Sequence, residues 1–439
     1  MGYTWYMKLN AAERLFMGAL LVIAFGIVLH TPVTVWLSTM YPDSALLIKS
    51  WKEILMGVAL LLFVLEVGKR KLFGEFFGDK IIQLLLVYAG IHFILMVIIP
   101  NNIQAVGAGL LIDLRYLLFF TLVYGAAKLL PNFRIIFLKT IFAGAAVVLG
   151  FALLQMFVLP RDILATLGYD SHTIEPYLTV DDNEEYIRIN STLRGPNPLG
   201  AYAVVIFALV IAAATKFGRR LKNDQHLIVG IAVAIATLML AVSYSRSALI
   251  GLIIALIIMI SVLIKPELRK RAVVIFSAVV LSIAAVLLVA RTNPVISNIF
   301  WHDDPNGGAK IDSNKGHADS LASGTLRMAR QPIGGGIGST GSASLLTKKP
   351  FIIENQYLYI AHEVGWIGLG LFVWLFVEIM RRLWQRRRGA LSLGVFASGC
   401  ALAVIGLLLP VWVDDTVSII WWGLAGLVIG GAYNARSNN

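Results

Sequence analysis

Twelve apolar stretches, each close to the length that crosses a bilayer, recur along this chain. They lie at about 14–31, 46–66, 81–99, 103–126, 135–159, 198–215, 226–244, 247–264, 272–290, 352–377, 391–411 and 415–434. A hydrocarbon core of roughly 30 Å takes about 20 apolar residues. The expected fold is therefore all-α: a polytopic integral membrane protein with about twelve transmembrane helices. The seventh and eighth stretches touch at Ser243–Ser247, so eleven or thirteen spans also fit the pattern. The chain is 58% hydrophobic and only 14% charged, whereas a soluble domain carries about a quarter charged residues.

The net charge of +12 raises nucleic acid as a partner, but its placement argues against one. Basic residues cluster in alternate gaps: Lys69-Arg70-Lys71 with Lys80, Lys128 with Arg134, Arg219-Arg220-Lys222, Lys265 with Arg269-Lys270-Arg271, and Arg381-Arg382 with Arg386-Arg387-Arg388. With Lys8, Arg14, Lys139, Lys216 and Arg436, 23 of the 37 Lys and Arg fall on one side. The positive-inside rule makes that side cytoplasmic, together with both termini. The first span reads as retained: no small-x-small cleavage site follows it, and a span of comparable length comes next. Cys400 is the only cysteine and lies inside a span, which excludes a disulfide or a cysteine-based metal site within the chain.

In this orientation the chain divides into five parts. They are an N-terminal bundle (1–159), a first external loop (160–197), central spans (198–290), a second external loop (291–351), and C-terminal spans with a cytoplasmic tail (352–439). Loops longer than about 15 residues are usually functional or disordered. In the second, Leu321, Thr325, Met328 and Ala329 stand at helical spacing before the turn Pro332-Ile333-Gly334-Gly335-Gly336-Ile337-Gly338. A short amphipathic helix against the outer membrane surface is expected there. The glycine turn follows no strand and so is no dinucleotide fingerprint.

The outer face gathers arginines. Asp170, Glu175, Asp181, Asp182, Glu184 and Glu185 precede Arg188 and Arg194, which flank a turn rich in Gly, Pro and Asn that includes Asn197. A guanidinium gives two parallel bonds to phosphate oxygens, which suits an anionic ligand. The plainer alternative is contact with lipid headgroups and pairing with the acidic stretch. Arg246 sits in the hairpin Ser243-Tyr244-Ser245-Arg246-Ser247, a cation at the edge of the membrane where one is costly. Asp113 and Arg115 lie within the fourth span, and each is expected to pair with a neighbouring span. The second loop adds His317, Arg327 and Arg330; the tenth span opens with Glu354-Asn355-Gln356-Tyr357 and carries His362-Glu363 deeper. A general base needs hydrogen-bond reach and a suitable pKa, and His317 or Glu354 fits, with His302 and His362 as rivals. The candidate catalytic residues are His317, Glu354 and Arg246. The candidate substrate-binding residues are Arg188, Arg194, Asn197, Arg327, Asn355 and Gln356. No metal-ligand pattern stands on this face and no cofactor is expected. Convergent arginines neutralise a departing diphosphate without one.

The order of these motifs resembles that of the O-antigen ligase and polysaccharide polymerase superfamily. The motifs are Arg-x5-Arg-Gly-Pro-Asn-Pro opening the sixth span, Ser-Tyr-Ser-Arg-Ser-Ala between spans, and Arg-x4-Pro-Ile-Gly-Gly-Gly-Ile-Gly-Ser closing the second loop. Glu-Asn-Gln-Tyr-Leu-x3-His-Glu-Val-Gly-Trp-Ile-Gly follows. The likeness covers roughly 185–375. It implies a metal-independent, inverting glycosyltransferase at the outer face of a bacterial cytoplasmic (inner) membrane. The partners implied are an undecaprenyl-diphosphate-linked glycan and an acceptor glycan or glycolipid, with membrane lipid around them. Arg188 or Arg194, with Arg246, would hold the diphosphate, and His317 or Glu354 would activate the acceptor hydroxyl. Many ligases of the superfamily open the late span with a histidine-asparagine pair where this chain has Glu354-Asn355-Gln356. That departure favours a polymerase of surface or exopolysaccharide repeats over a lipid A–core ligase. A transporter of lipid-linked oligosaccharide and a non-catalytic scaffold are the rival classes.

In a variant lacking Cys400, cysteines introduced at Asn183 and Asn306 should react with an impermeant reagent applied outside spheroplasts, and one at Asn223 should not. Labelling at 223 from outside would invert the topology.

Overall fold

The computed structural model describes residues 9–218, 223–304 and 306–431. Lys8, Arg219, Arg220, Lys222 and Arg436, counted above on the cytoplasmic side, lie outside the described residues. Each of the twelve apolar stretches carries a helix, the one open structure that satisfies its own backbone where no water can. Among the described residues, nine helices are long and apolar enough to cross a membrane. Trp51–Lys69 has the length, at 19 residues, but carries Lys52, Glu53, Glu66 and Lys69. Ala390–Ile405 and Asp415–Gly430 are shorter apolar helices. The first span runs on past its expected end to Met40. Pro32 cannot donate to a carbonyl one turn back, and the chain answers with a 3₁₀ turn at Ile27–Leu29 before helix resumes at His30.

The chain forms two compact units. The first comprises Met1–Val147, Ala322–Leu383 and Trp412–Asn439. Its centre is the helix Asp415–Gly430 lying along Ile103–Leu129. A Cβ on Gly423 would stand 2.7 Å from the Phe119 ring, and one on Gly426 would stand 2.6 Å from the Phe120 carbonyl. Small residues on one stripe let two membrane helices touch backbone to backbone. Trp412, Trp421 and Trp422 pack beside them, with Trp421 and Trp422 edge to face at 5.4 Å.

Several charges inside this unit are paired. Arg115 reaches the Asp415 carboxylate, which also takes Lys52 at 2.9 Å and His30 at 3.1 Å. Asp113 faces His92 on the preceding span at 3.6 Å. The expectation that Asp113 and Arg115 pair with neighbouring spans is met. Three of the basic gaps also meet at one end of this unit. Arg70 pairs with Glu13 and bonds the Leu129 carbonyl, Lys128 pairs with Glu75 at 2.9 Å, and Arg382 pairs with Asp79 at 2.7 Å. Alternate gaps of a chain that threads back and forth end on one side in this way.

The second unit comprises Val148–Leu321 and Trp384–Val411. Its core is Pro196–Phe217, enclosed by Asn223–Val242, Arg246–Leu263 and Ala390–Ile405. Pro266–Val289 buries none of its residues within the protein. The segment 160–197 holds the one sheet among the described residues, a hairpin of β1 (Leu178–Val180) and β2 (Asn183–Arg188). The sequence reading held no strand. Asp181 and Asp182 turn it with φ of 51° and 58°, the pair of positive values a tight two-residue turn demands. Asn183 is only 7% exposed and its amide donates to Asp304 at 3.0 Å, so Asn306, which is exposed, is the better external labelling position.

The helix expected in the second loop runs over Ser313–Arg330, and its buried residues are Gly324 and Met328. Leu321 is 48% exposed. The face that packs is set by Gly324, where a Cβ would already touch Leu358 and Ile353 at 3.4–3.5 Å.

Candidate functional site

The second unit holds two arginines close together. Arg188 ends β2, whose continuation is tied to the seventh span by Ile189 N–H donating to the Val242 carbonyl at 3.2 Å. Its Nε donates to the Ser243 carbonyl at 2.9 Å and its Nη2 to Asn197 Oδ1 at 2.7 Å. Arg246 opens the eighth span, and its Nη1 donates to the Trp301 carbonyl at 3.1 Å and to Asn314 Oδ1 at 2.7 Å. Asn314 is braced in turn by donating to the Trp301 and His302 carbonyls. Every acceptor is neutral. Among the described residues neither guanidinium forms an ion pair. Burial and the neighbouring Arg246 charge push Arg188 down to about 10, with Asp181 opposing. Two cations held by carbonyls and carboxamides keep their charge available to an anion.

The remaining candidates in this unit differ in how they relate to that pair. Asn197 belongs to it directly. Arg194 is exposed, and its side chain has no partner among the described residues. His302 is half-buried with its side chain only 8% exposed, its Nδ1 3.1 Å from Ser313 Oγ and 3.8 Å from Asp181. Burial, then Arg246 and Arg188, drive its pKa down to about 3, with a further push from His317. His317 is half-buried on the Ser313–Arg330 helix and so lies near enough to feel His302. Asn314, Asp181 and the Ser243 carbonyl complete the constellation. Asp181 belongs to the acidic stretch that precedes Arg188; sequence reading missed Asn314 and the Ser243 carbonyl because a bracing carboxamide or carbonyl has no motif.

The first unit holds the other candidates. Asn355 caps the helix Gln356–Gln385, its Oδ1 accepting the Tyr357 and Leu358 N–H groups at 3.0 Å. Gln356 Oε1 accepts the Trp412 N–H at 2.7 Å. Both side chains thus hold backbone, and half-buried Glu354 stands just before the helix. Arg327 lies 3.8 Å over the Phe351 ring, with His362 packed against the same ring at 5.5 Å. Glu363 is buried and accepts Gly338 and Thr340 N–H at 2.5 Å and 2.9 Å.

That bond explains the glycine turn. Gly334, Gly336 and Gly338 take φ of 89°, 84° and 76°, and Gly365 takes 70° where the late span breaks. Side chains rarely adopt such values. The break exposes backbone groups that the turn satisfies: Gly335 N–H donates to the His362 carbonyl at 2.6 Å and Trp366 N–H to the Pro332 carbonyl at 3.0 Å.

The decisive comparison concerns this stretch. Residues 231–373 match the family model of the O-antigen ligases. The match spans Arg246, His317, Arg327, Glu354, Asn355, Gln356 and the glycine turn, and stops short of Arg188, Arg194 and Asn197. No curated protein matches the chain. The match covers about a third of the chain, which over that stretch is similar to the O-antigen ligases, and the apolar helices among the described residues mark a multi-pass membrane protein.

The neutrality of His302 is testable through stability. A histidine in the unfolded chain protonates near pH ~6.5, while folded His302 protonates only near about 3. Between those values the unfolded state binds the extra proton, so folding stability falls as the pH drops through this window. His302→Gln should therefore lose less thermal stability than wild type between pH 7 and 4 in detergent. Parallel losses would refute a neutral His302.

Proposed function

We propose that this protein is a glycosyltransferase that lengthens or transfers a glycan carried on undecaprenyl diphosphate, working at the outer face of a bacterial cytoplasmic membrane. The observation that carries the reading is the arginine pair: Arg188 and Arg246 stand together on neutral acceptors, with no carboxylate claiming either. A diphosphate is the ligand class that answers two such forks. Arg194, exposed nearby in sequence, is available to a further phosphate oxygen, and Asn197 fixes the direction of Arg188.

The acceptor hydroxyl oxygen attacks the anomeric carbon of the donor sugar, and the bond from that carbon to the diphosphate oxygen breaks. The departing diphosphate keeps the electron pair, and the arginines balance its growing charge. The hydroxyl proton passes to a base, and the anomeric centre inverts. His317 is the preferred base because it shares a unit with the arginines; Glu354 is the rival. Asn355 and Gln356 set where Glu354 and its helix begin. The glutamate where many ligases carry histidine favours polymerisation of repeats over ligation to a lipid acceptor.

Purified protein supplied with a diphosphate-linked glycan should yield longer chains and free carrier lipid. Movement of unaltered lipid across vesicles would instead mark a transporter. Arg246→Ala should cost roughly 100- to 1,000-fold in rate, as loss of a preorganised donor to a developing anion does. Arg246→Lys should recover little, since an ammonium makes no bidentate contact. Near-normal polymer from well-folded Arg246→Ala would refute the site.

Activity should also survive EDTA. Loss that Mg²⁺ or Mn²⁺ restores would refute charge balance by arginine alone. His317→Ala should remove most activity and Glu354→Gln should retain it; the reverse moves the base to Glu354.

A further inference from the structure

A cavity of about 300 Å³ opens in the second unit, between the end of the fifth span, the β-hairpin and the end of the seventh span; its lining includes Gln155, Arg161, Tyr177, Arg188, Asn190 and Tyr244. Asn190 is 2% exposed, and both its Oδ1 and Nδ2 are buried without a hydrogen-bond partner. Gln155 Oε1 is buried and unpartnered as well. Buried polar groups are nearly always paired, so three unmet groups on two residues that line one cavity need an account.

Local structure does not supply it. Asparagine in a turn usually bonds its own backbone, but here the turn is held by other groups. The Asn190 carbonyl accepts the Leu193 N–H at 3.2 Å, and Ser191, at φ 52°, donates its hydroxyl to the Val148 carbonyl at 2.7 Å. The backbone of Asn190 is fixed while its carboxamide is left unused.

We propose that this cavity is the subsite for a sugar ring of the lipid-linked glycan, read by Asn190 and Gln155. The inference rests on the glycan-transfer reading and adds the residues that recognise the sugar. A carboxamide offers a donor and an acceptor side by side, which matches adjacent ring hydroxyls that each donate and accept. The Asn190 carboxamide atoms are buried in the empty protein, so reading a sugar requires the side chain to turn toward the lumen. Tyr177 and Tyr244 offer flat apolar surface to the C–H face of the ring. The volume lies at the small end of ligand pockets, roughly 300–1,000 Å³, and suits a short saccharide rather than a long one. Arg188 lines the cavity and belongs to the arginine pair, so a sugar here sits beside the diphosphate. A polyprenyl tail would leave both carboxamides unmet.

The test compares two probes on full-length protein in nanodiscs: bare undecaprenyl diphosphate, and the glycan-bearing undecaprenyl diphosphate extracted from the source cells. Asn190→Leu should weaken binding of the glycan-bearing lipid by about tenfold or more, the loss of a polar contact, and leave the bare lipid within about twofold. Gln155→Leu should do the same to a smaller degree. Asn190→Leu should also leave the unliganded melting temperature unchanged or raised, because it removes an unmet buried group. Equal weakening of both lipids with a lower melting temperature would make Asn190 structural and overturn the proposal. Unchanged binding of both would show that the cavity holds water only, and would overturn it too. Failure of the wild type to bind either lipid would instead bring down the glycan-transfer reading itself.

Discussion

A charge placed inside or beside a bilayer has to be answered, and how each one is answered divides this molecule into scaffold and site. Lys, Arg, Asp and Glu within a membrane span are costly unless they meet a partner. In the first unit Asp415 meets Arg115, Lys52 and His30, and Asp79 meets Arg382. Breaking such a pair leaves one uncompensated buried charge and costs about 3–5 kcal/mol. These pairs fasten helices that the apolar surface alone cannot order, because lipid tails are as apolar as leucine. Arg188 and Arg246 depart from that pattern. The carboxylates of the acidic stretch stand close in sequence, yet none pairs with either arginine.

The late span shows the same logic applied to backbone. A helix that breaks inside a membrane frees N–H and C=O groups that must find partners. Gly365 makes the break, and the turn before the span supplies the partners, so three positive-φ glycines and one interrupted helix form a single device. Glu363 locks it from within by accepting two turn N–H groups. The segment Glu354–Glu363 is thereby held at its start by Asn355 and at its end by Glu363. Glu354 thus stands on an anchored segment rather than on a free loop.

How much of this was legible depended on whether a residue announces itself by pattern. The spans did, because a run of about 20 apolar residues has few other uses. The alternation of basic gaps did too, and the contacts of Arg70, Lys128 and Arg382 at one end of the first unit carry it into three dimensions. The β-hairpin did not: its turn is Asp-Asp, which reads as part of an acidic stretch, and only the positive φ values reveal the tight turn. Met328 was placed at helical spacing, but the buried face was fixed by Gly324, a residue whose contribution is the absence of a side chain. Arginines could be named as candidates from position alone. Their partners could not, because Asn314, Asn197 and the Ser243 and Trp301 carbonyls lie at distances along the chain that no spacing rule connects.

The choice of neutral partners is itself informative. Asp or Glu in place of Asn197 or Asn314 would grip the arginines harder, since an ion pair adds direct Coulomb attraction to the hydrogen bond. It would also cancel the charge. A carboxamide fixes the direction of a guanidinium and leaves its field intact, at the expense of repulsion between Arg188 and Arg246 that burial sharpens. His302 follows suit: held neutral beside them, it fills space without adding a third cation. An anion arriving at such a site relieves the repulsion and bonds the free N–H groups in one step, so part of the stability withheld from the empty protein is returned on binding. Paired charges would have made a sturdier protein. Two neighbouring arginines that form no ion pair among the described residues, with Asp181 near enough to act on both, keep most of their charge for an anion if one binds.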